Sequence, residues 1–436
     1  MSELIVRKFG GSSLASAQQF KQVKAIVMAC DQPQAIVVSA PGKGDGYDVK
    51  VTDLLYLLHE HLKYDINYDG ILSQVEDRFL AIKEALNLQY DVLGYFEKMK
   101  KDLAKKVHRD WLVSRGEYLC GVLLSEYLEY GFLDPKNHLY VGYDKQFDGI
   151  TTKQHMQHIS IGKGLVMPGF YATTPHGEIT LLARGGSDTS GGMLAVALNA
   201  SLYENYTDVS GVYVTDPSIV KEAKTIEHLS YSEIKELSYR GAKLLHQEAI
   251  TPVSKAHIPI VIKNTNDPAF KGTRISDVFK DNGHVVTAIS GKEDFTVFNI
   301  AKKGDYHKTN VLQHILTVFM QHDIDVEHIP SGIDSFSVIV ASETVESIKL
   351  VLLKQLNELE GIESIDVEEN LALIAVVGKN MAKTTGVAGT LFGALGNEKI
   401  NVKVIAQSST ELSVIVGVDE SDYRRAIQTI YYAFFK

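Results

Sequence analysis

The sequence predicts an α/β protein. A mostly parallel sheet with helices on both faces should run to about residue 283, followed by two smaller α+β modules. Three features support this reading. Apolar strand-like runs alternate with helix-like stretches through the first two thirds of the 436 residues, an order that needs crossover helices between parallel strands. Two of the strands break into glycine-rich turns, Gly10-Gly11-Ser12-Ser13 and Arg184-Gly185-Gly186-Ser187. The last third carries one spacing pattern twice.

The first strand is Leu4–Phe9, followed from about Ser16 by a helix with Phe20, Val23, Ile26 and Val27 on one face. Gln34–Val38 reads as a buried strand that turns out through Ser39-Ala40-Pro41-Gly42. Residues 51–63, 71–89, 92–108 and 114–130 read mostly as helices, a substrate-side elaboration of the sheet. His138–Gly142 and Gly164–Phe170 read as strands, the second interrupted by Pro168. Ile179–Ala183 is a cleaner strand that leads into a small-residue helix, Ser190–Asn199. Thr207–Pro217, rich in Val and Tyr around Gly211, suggests a hairpin. Ser230 with Glu233 forms a capping box for the next helix, and Ile258–Lys263 is a further strand.

The repeat begins after that. Phe295–Ile300 aligns with Leu371–Val376 and Asp323–Val340 with Lys399–Val416, both at an offset of 76 residues without a gap. Ile324/Ile400, Val326/Val402 and Ile329/Ile405 coincide, so each copy reads strand, helix, strand, strand, helix. Such modules behind a larger glycine-rich region suggest ligand sensing. The linear boundaries are 1–283, 284–367 and 368–436.

A formal net charge of -10, with no stripe dense in Lys and Arg, disfavours nonspecific nucleic-acid binding. Cys30 and Cys120 form no CxxC and read as buried packing thiols. The opening residues run straight into a strand without a signal-peptide pattern, and no apolar stretch reaches the roughly 20 residues that span a bilayer. A cytoplasmic protein is expected.

Lys8 ends a strand beside glycines whose backbone amides can crowd an anion, which suits a terminal phosphate. The stretch lacks the Walker spacing, so an ordinary turn fits it equally well. Arg184 offers a planar fork to a carboxylate, Ser187 can cap the following helix, and Asp188 needs a cation to offset it near phosphate. Glu117, at a helix start, can satisfy the helix dipole or attract an ammonium group. Thr207, Asp208 and Tyr213-Val214-Thr215-Asp216-Pro217 could frame a nucleotide, although Asp216-Pro217 also makes a good turn. Lys243 suits either a phosphate contact or a solvent-facing position. The fifteen histidines form no compact metal-ligand set.

Taken in order, these motifs resemble aspartate kinase. They are Lys8-Phe9-Gly10-Gly11-Ser12-Ser13, Val37-Val38-Ser39-Ala40, Thr52-Asp53-Leu54-Leu55, Arg115-Gly116-Glu117, Arg184-Gly185-Gly186-Ser187-Asp188-Thr189, Thr207 through Pro217, and Gly241-Ala242-Lys243-Leu244-Leu245-His246. The resemblance spans essentially the whole chain. It implies an amino-acid-kinase fold followed by two ACT (ferredoxin-like) domains, and it allows a C-terminal segment to be exchanged between them.

It further implies transfer of the ATP γ-phosphoryl group, with Mg²⁺, to the side-chain carboxylate of L-aspartate. That is the first step toward lysine, threonine and methionine. By resemblance, ATP contacts fall on Lys8, Phe9, Gly10, Gly11, Thr207, Asp208, Tyr213, Val214, Thr215, Asp216, Pro217, Ser218 and Lys243. Ser218 stands where the family commonly has arginine. Aspartate contacts fall on Ser39, Thr52, Glu117, Arg184 and Ser187, with Lys8 and Asp188 catalytic. Asp325, Ser331 and Gly332 would meet a feedback effector, lysine before threonine, in a homodimer or dimer of dimers. An acetylglutamate kinase, a glutamate 5-kinase and a catalytically inactive sensor are the alternatives.

Overall fold

The computed structural model describes residues 3–44, 46–183, 185–239, 245, 247–278 and 283–435. The chain divides into two compact units. The first comprises Met1–Val212, Thr225–Lys235 and Lys243–Lys280; the second takes Tyr213–Lys224, Glu236–Ala242 and Asp281–Lys436.

The first unit is built on an eight-stranded sheet. Its centre is β1 (Ile5–Phe9), wholly buried, which leads to α1 (Ala17–Met28) and β2 (Gln34–Val38). Phe20, Val23, Ile26 and Val27 form the buried face of α1, as their spacing predicts. A helical layer follows: α2 (Val51–Lys63), α3 (Asp69–Ala85), α4 (Val92–Leu103), α5 (Arg109–Val113) and α6 (Arg115–Leu128). Leu55, Phe79, Phe96 and Leu123 from this layer share one core with Phe9, Ile36 and Val38, so the layer belongs to the sheet's own hydrophobic body.

Next come β3 (Gly131–Phe132), α7 (Pro135–His138), α8 (Gly149–Met156), β4 (Leu165–Pro168), β5 (Tyr171–Thr173) and β6 (Ile179–Leu181). α9 (Gly186–Ala197), β7 (Leu202–Thr207), β8 (His228–Leu229), α10 (Tyr231–Tyr239), α11 (Gln247–Lys255), β9 (Ile260–Asn264) and β10 (Thr273–Ile275) follow. The strand order is β3-β4-β2-β1-β7-β9-β10-β8, and only the β10–β9 pairing is antiparallel.

Several local expectations change. His138–Gly142 is no regular strand: α7 ends at His138, and only single bridges form at Tyr140 and Val141. Thr207–Pro217 is no hairpin: Thr207 closes β7, which pairs in parallel with β1 and β9, and residues 208–217 form no strand. β6 pairs with β5 in a separate two-stranded hairpin. Cys120 is buried, but Cys30 is only partly so. The capping box forms as read: Ser230 N–H donates to Glu233 Oε2 at 2.9 Å, and Glu233 N–H to Ser230 Oγ at 3.3 Å.

The second unit is an antiparallel sheet, ordered β12-β11-β13-β15-β14 when its strands are numbered on in chain order. These are β11 (Ala288–Lys302), β12 (Ser335–Ala341), β13 (Ile362–Val377), β14 (Val404–Gln407) and β15 (Ser413–Asp419). Its helices are α12 (Lys308–Gln321), α13 (Ser342–Val345), α14 (Lys349–Asn357), α15 (Val387–Asn397) and α16 (Tyr423–Phe434).

At 15 and 16 residues, β11 and β13 are nearly three times the usual strand length of about 5–6, because each serves both modules. Phe295–Lys302 pairs with Leu371–Ile362 in one module, and Ala288–Lys292 with Val377–Leu373 in the other. Phe295 pairs directly with Leu371, its equivalent one repeat later, which places a local two-fold relation at that pair. The strand that crosses between modules is therefore Ala288–Lys292, from upstream, where a C-terminal segment was expected.

Candidate active site

The polar residues of the first unit gather at the carboxyl ends of β2, β1 and β7, where an open α/β sheet presents its loops to ligands. Side chains alternate along β1, so Arg7 and Lys8 face opposite sides. Arg7 points to α1 and is held by Glu204 at 2.6 Å, Gln34 at 2.5 Å and the Ile26 carbonyl at 3.3 Å. Glu204 also receives Lys263 Nζ at 2.8 Å, and these two cations hold its carboxyl below the usual range despite burial.

Lys8, only 7% exposed, faces the other side, with Nζ 2.6 Å from Asp188 Oδ1. Asp188 stands in the first turn of α9, placed there by Gly185, whose φ of 75° suits glycine. Asn205, the register partner of Lys8, donates to the same Asp188 oxygen at 3.1 Å. The Tyr203 hydroxyl donates to the Asp188 carbonyl at 3.0 Å. A buried ammonium is thus fixed by a carboxylate that the neighbouring strand orients.

The glycine turn packs closely against the loop after β2. A Cβ on Gly11 would lie 2.9 Å from the Ala40 carbonyl oxygen, and one on Gly42 would lie 2.6 Å from the Gly11 carbonyl carbon. Gly42 N–H donates to Gly11 O at 2.9 Å. Buried Arg78 of α3 holds the loop from behind, donating to the carbonyls of Gly42, Val49 and Ala15. Phe9 contributes only its main chain to this surface, since its ring is fully buried and stacked on Tyr206 at 4.7 Å.

Ser39, Thr52, Glu117 and Ser187, four of the residues read as aspartate contacts, lie on or beside the same loop. Ser39 N–H donates to Phe9 O at 3.2 Å, and Thr52 follows Val51, whose N–H donates to Pro41 O at 3.1 Å. Ser187 lies against Gly169, where a Cβ would come within 2.9 Å of its side chain, and Gly169 N–H donates to Val38 O at 2.8 Å. Glu117 stands in the first turn of α6, is 3% exposed and accepts the backbone N–H of Ala40 and of its own residue. Its Oε2 is buried without a hydrogen-bond partner among the described residues. Burial pushes its pKa up to about 8 against the opposing pull of those amides and Arg115.

Thr207 ends β7 and donates to exposed Asp208 at 3.1 Å. Tyr213–Ser218 falls in the second unit. There Asp216 accepts Ser218 N–H at 2.8 Å, closing a turn, while Thr215 is 3% exposed with an unpartnered hydroxyl. Arg184 and Lys243 lie outside the described residues. In the second unit Asp325 lines an open groove of about 600 Å³ beside α12 with Thr309, Leu312 and Leu316. Ser331 and Gly332 are instead engaged by Lys308 Nζ, at 3.1 Å and 2.7 Å.

Sequence reading missed Asn205, Arg78 and Lys263. Glu204-Asn205, two polar residues in mid-strand, was the available signal for the first. Arg78 gave none, because one arginine on an amphipathic helix looks like a solvated residue.

Residues 3–264 match the amino acid kinase family, and residues 374–434 match an ACT domain. The chain belongs to the amino acid kinase family. Within it the chain is of the aspartokinase type. Aspartokinase 3 of Bacillus subtilis is 33% identical over 99% of this chain and 98% of that protein. The lysine-sensitive aspartokinase 3 of Escherichia coli is 26% identical over the whole of both.

Aspartate kinase of Clostridium acetobutylicum superposes with a TM-score of 0.88 at 39% identity, covering 99% of this chain and 100% of that one. E. coli aspartokinase III in complex with aspartate and ADP superposes at 0.81 and 25% identity over both whole chains. Against the bifunctional aspartokinase/homoserine dehydrogenase of Haemophilus influenzae, 30% identical, the chain spans 56% of the relative's length. Among the described residues, no helix of this aspartokinase is long and apolar enough to cross a membrane.

Proposed function

We propose that this aspartokinase phosphorylates the side-chain carboxylate of L-aspartate with ATP at the carboxyl ends of β2, β1 and β7. One observation carries the reading. A buried ammonium beside a glycine turn and a buried carboxylate, one of whose oxygens has no partner among the described residues, flank the same loop, residues 39–42. Lys8 and the amides at the head of the glycine turn would take the terminal phosphates. Glu117 would take the α-ammonium, and Arg184 the α-carboxylate through its planar fork. Ser39, Thr52 and Ser187 would line the space between.

An oxygen of the aspartate side chain attacks the γ-phosphorus, the bond to the β–γ bridging oxygen breaks, and ADP leaves. The nucleophile is already an anion near neutral pH, so no base is required. The difficulty is bringing one anion against another. Lys8 meets it by placing a positive charge, already desolvated and oriented by Asp188 and Asn205, where charge accumulates in the transition state.

Among the described residues no group of three or more His, Cys, Asp or Glu is placed to hold a metal. Mg²⁺, which keeps water and phosphate oxygens with only one or two carboxylates, would enter on the nucleotide, with Asp188 as the carboxylate at hand. When bound it neutralises charge on the phosphoryl oxygens.

The paired modules would bind a regulatory amino acid, lysine before threonine, with Asp325, Ser331 and Gly332 as contacts, in a homodimer. An N-acetylated substrate offers Glu117 no ammonium, which disfavours an acetylglutamate kinase. The test is a panel of aspartate, glutamate and N-acetylglutamate with ATP and Mg²⁺, assayed for ADP and for acyl phosphate trapped as hydroxamate. Aspartate should be the preferred acceptor, and preference for either of the others overturns the reading. Arg184→Ala should raise the aspartate KM far more than the ATP KM. Light scattering with and without lysine or threonine tests the regulatory half.

A further inference from the structure

The segment Tyr213–Lys224 carries the nucleotide motif, yet it folds with the paired modules. What holds it is α16. This helix has two working faces. Tyr423, Ala426, Ile427, Ile430 and Tyr431 are buried. On the adjoining, exposed side, Arg424 Nη2 donates to the Ser218 carbonyl at 2.7 Å and Gln428 Nε2 to the Ile219 carbonyl at 2.9 Å. Tyr431 donates through its hydroxyl to the Glu222 carbonyl at 3.3 Å, and the Tyr432 hydroxyl bonds the Glu222 carboxylate. Positions 424, 428, 431 and 432 follow helical spacing, so one face grips residues 218, 219 and 222. At the segment's other end, Ile289 N–H of β11 donates to Val214 O at 2.7 Å. Residues 214–218 of the motif therefore run between two anchors, and Thr215 between them keeps a buried hydroxyl without a partner among the described residues.

We infer that Arg424 and Gln428 are positioning residues for nucleotide binding: from the last helix of the regulatory region they set the backbone of the segment that contacts ATP. This rests on the assignment of Tyr213–Ser218 to the nucleotide. Plain packing is the competing account. Against it, three of the four contacts are aimed at main-chain carbonyls, and the donors Arg424 and Gln428 are exposed side chains that add little to any core. A bond to a carbonyl fixes where the backbone runs without depending on the residue that carries it.

The test uses the full chain. ATP and aspartate KM values and calorimetric ADP affinity are measured for Arg424→Met and Gln428→Leu, which remove the donor at similar size, and for Arg424→Lys, which keeps one. Asp216→Ala probes the motif itself. Loss of one such bond should raise the ATP KM and the ADP Kd about threefold to tenfold. The aspartate KM should stay within twofold, and Arg424→Lys should stay close to the parent. If Asp216→Ala weakens ADP binding but the α16 variants do not, the inference is overturned while the nucleotide assignment stands. If none of them affects ADP, the assignment fails and the inference with it. Equal losses in kcat and both KM values, with a lowered melting temperature, would mean a packing role and also overturn it.

Discussion

The two large sheets among the described residues use burial in opposite ways. In the parallel sheet and its helices, Arg7, Lys8, Arg78, Glu117 and Glu204 are all buried, Arg7 paired with Glu204 across β1 and β7, and Lys8, Arg78 and Glu117 held at the turns that follow the strands or at the helix starts beside them. In the antiparallel sheet the interior is Phe298, Ile300, Val338, Ile374 and their neighbours, and Lys302 is its one buried charge among the described residues. Burying a charge costs several kcal/mol unless it is paired and hydrogen-bonded. A cluster of such groups therefore marks chemistry. A sheet without one carries its information in strand pairing, here through the two long strands shared between modules.

The comparison is sharpest where a charge is removed. Lys8→Met should lower kcat about a thousandfold, the range for losing a preorganised charge at a transferring group, with a smaller change in the aspartate KM. Steady-state kinetics checks this, and unchanged turnover would remove Lys8 from the reaction. In the other sheet the largest effect should be on stability. Phe298→Ala, at a fully buried ring edge-on to Phe319 at 5.5 Å, should cost about 3–5 kcal/mol by denaturant unfolding. A loss below 1 kcal/mol would show that this core is not packed as described.

Glu117→Gln keeps the shape and removes the charge, so the aspartate KM should rise at least about 30-fold, a charge-assisted bond being worth roughly 2 kcal/mol or more. The ATP KM should barely move. The same residue predicts a pH effect. With its pKa near 8 in the empty site, Glu117 is neutral below that pH, while the form that attracts an ammonium is the carboxylate. Affinity for aspartate should rise with pH from 6 to 8, by up to about tenfold per unit well below the pKa, and Glu117→Gln should flatten the profile.

The sign for stability is opposite. A carboxyl whose folded pKa is raised favours the fold fully below its unfolded value near 4.5. That contribution is lost as pH rises toward about 8. Without aspartate, the melting temperature should therefore be lower at pH 8.5 than at pH 6, by less in Glu117→Gln. The smallest effect belongs to an exposed position: Leu350→Ala, 80% exposed on α14, should change stability by less than about 0.5 kcal/mol.

Much of the catalytic sheet was legible because its signals are local. Phe20, Val23, Ile26 and Val27 announce a helix face, and Gln34–Val38 announces a buried strand, through spacing alone. The glycine turns and Lys8 were visible for the same reason. The grip of Arg78 on Gly42 was not, since a residue on one helix and a carbonyl 36 positions away share no sequence pattern. The hairpin expected at Thr207–Pro217 failed because Val and Tyr content marks no pairing partner: only Thr207 is in a strand, paired with Asn264 of β9, and residues 208–217 form no strand.

By itself the sequence determined the order of elements, the repeat, the glycine turns and the residue types able to hold a phosphate, an ammonium and a carboxylate. These follow from periodicity and side-chain chemistry, which are properties of short stretches. Only the tertiary structure decided that Lys8 meets Asp188 and Asn205, that one oxygen of Glu117 has no partner among the described residues, and that the second module borrows Ala288–Lys292. It also decided that α16 grips the segment after Val212. Those are matters of register and long-range closure, set by which surfaces the collapsing chain can bury together.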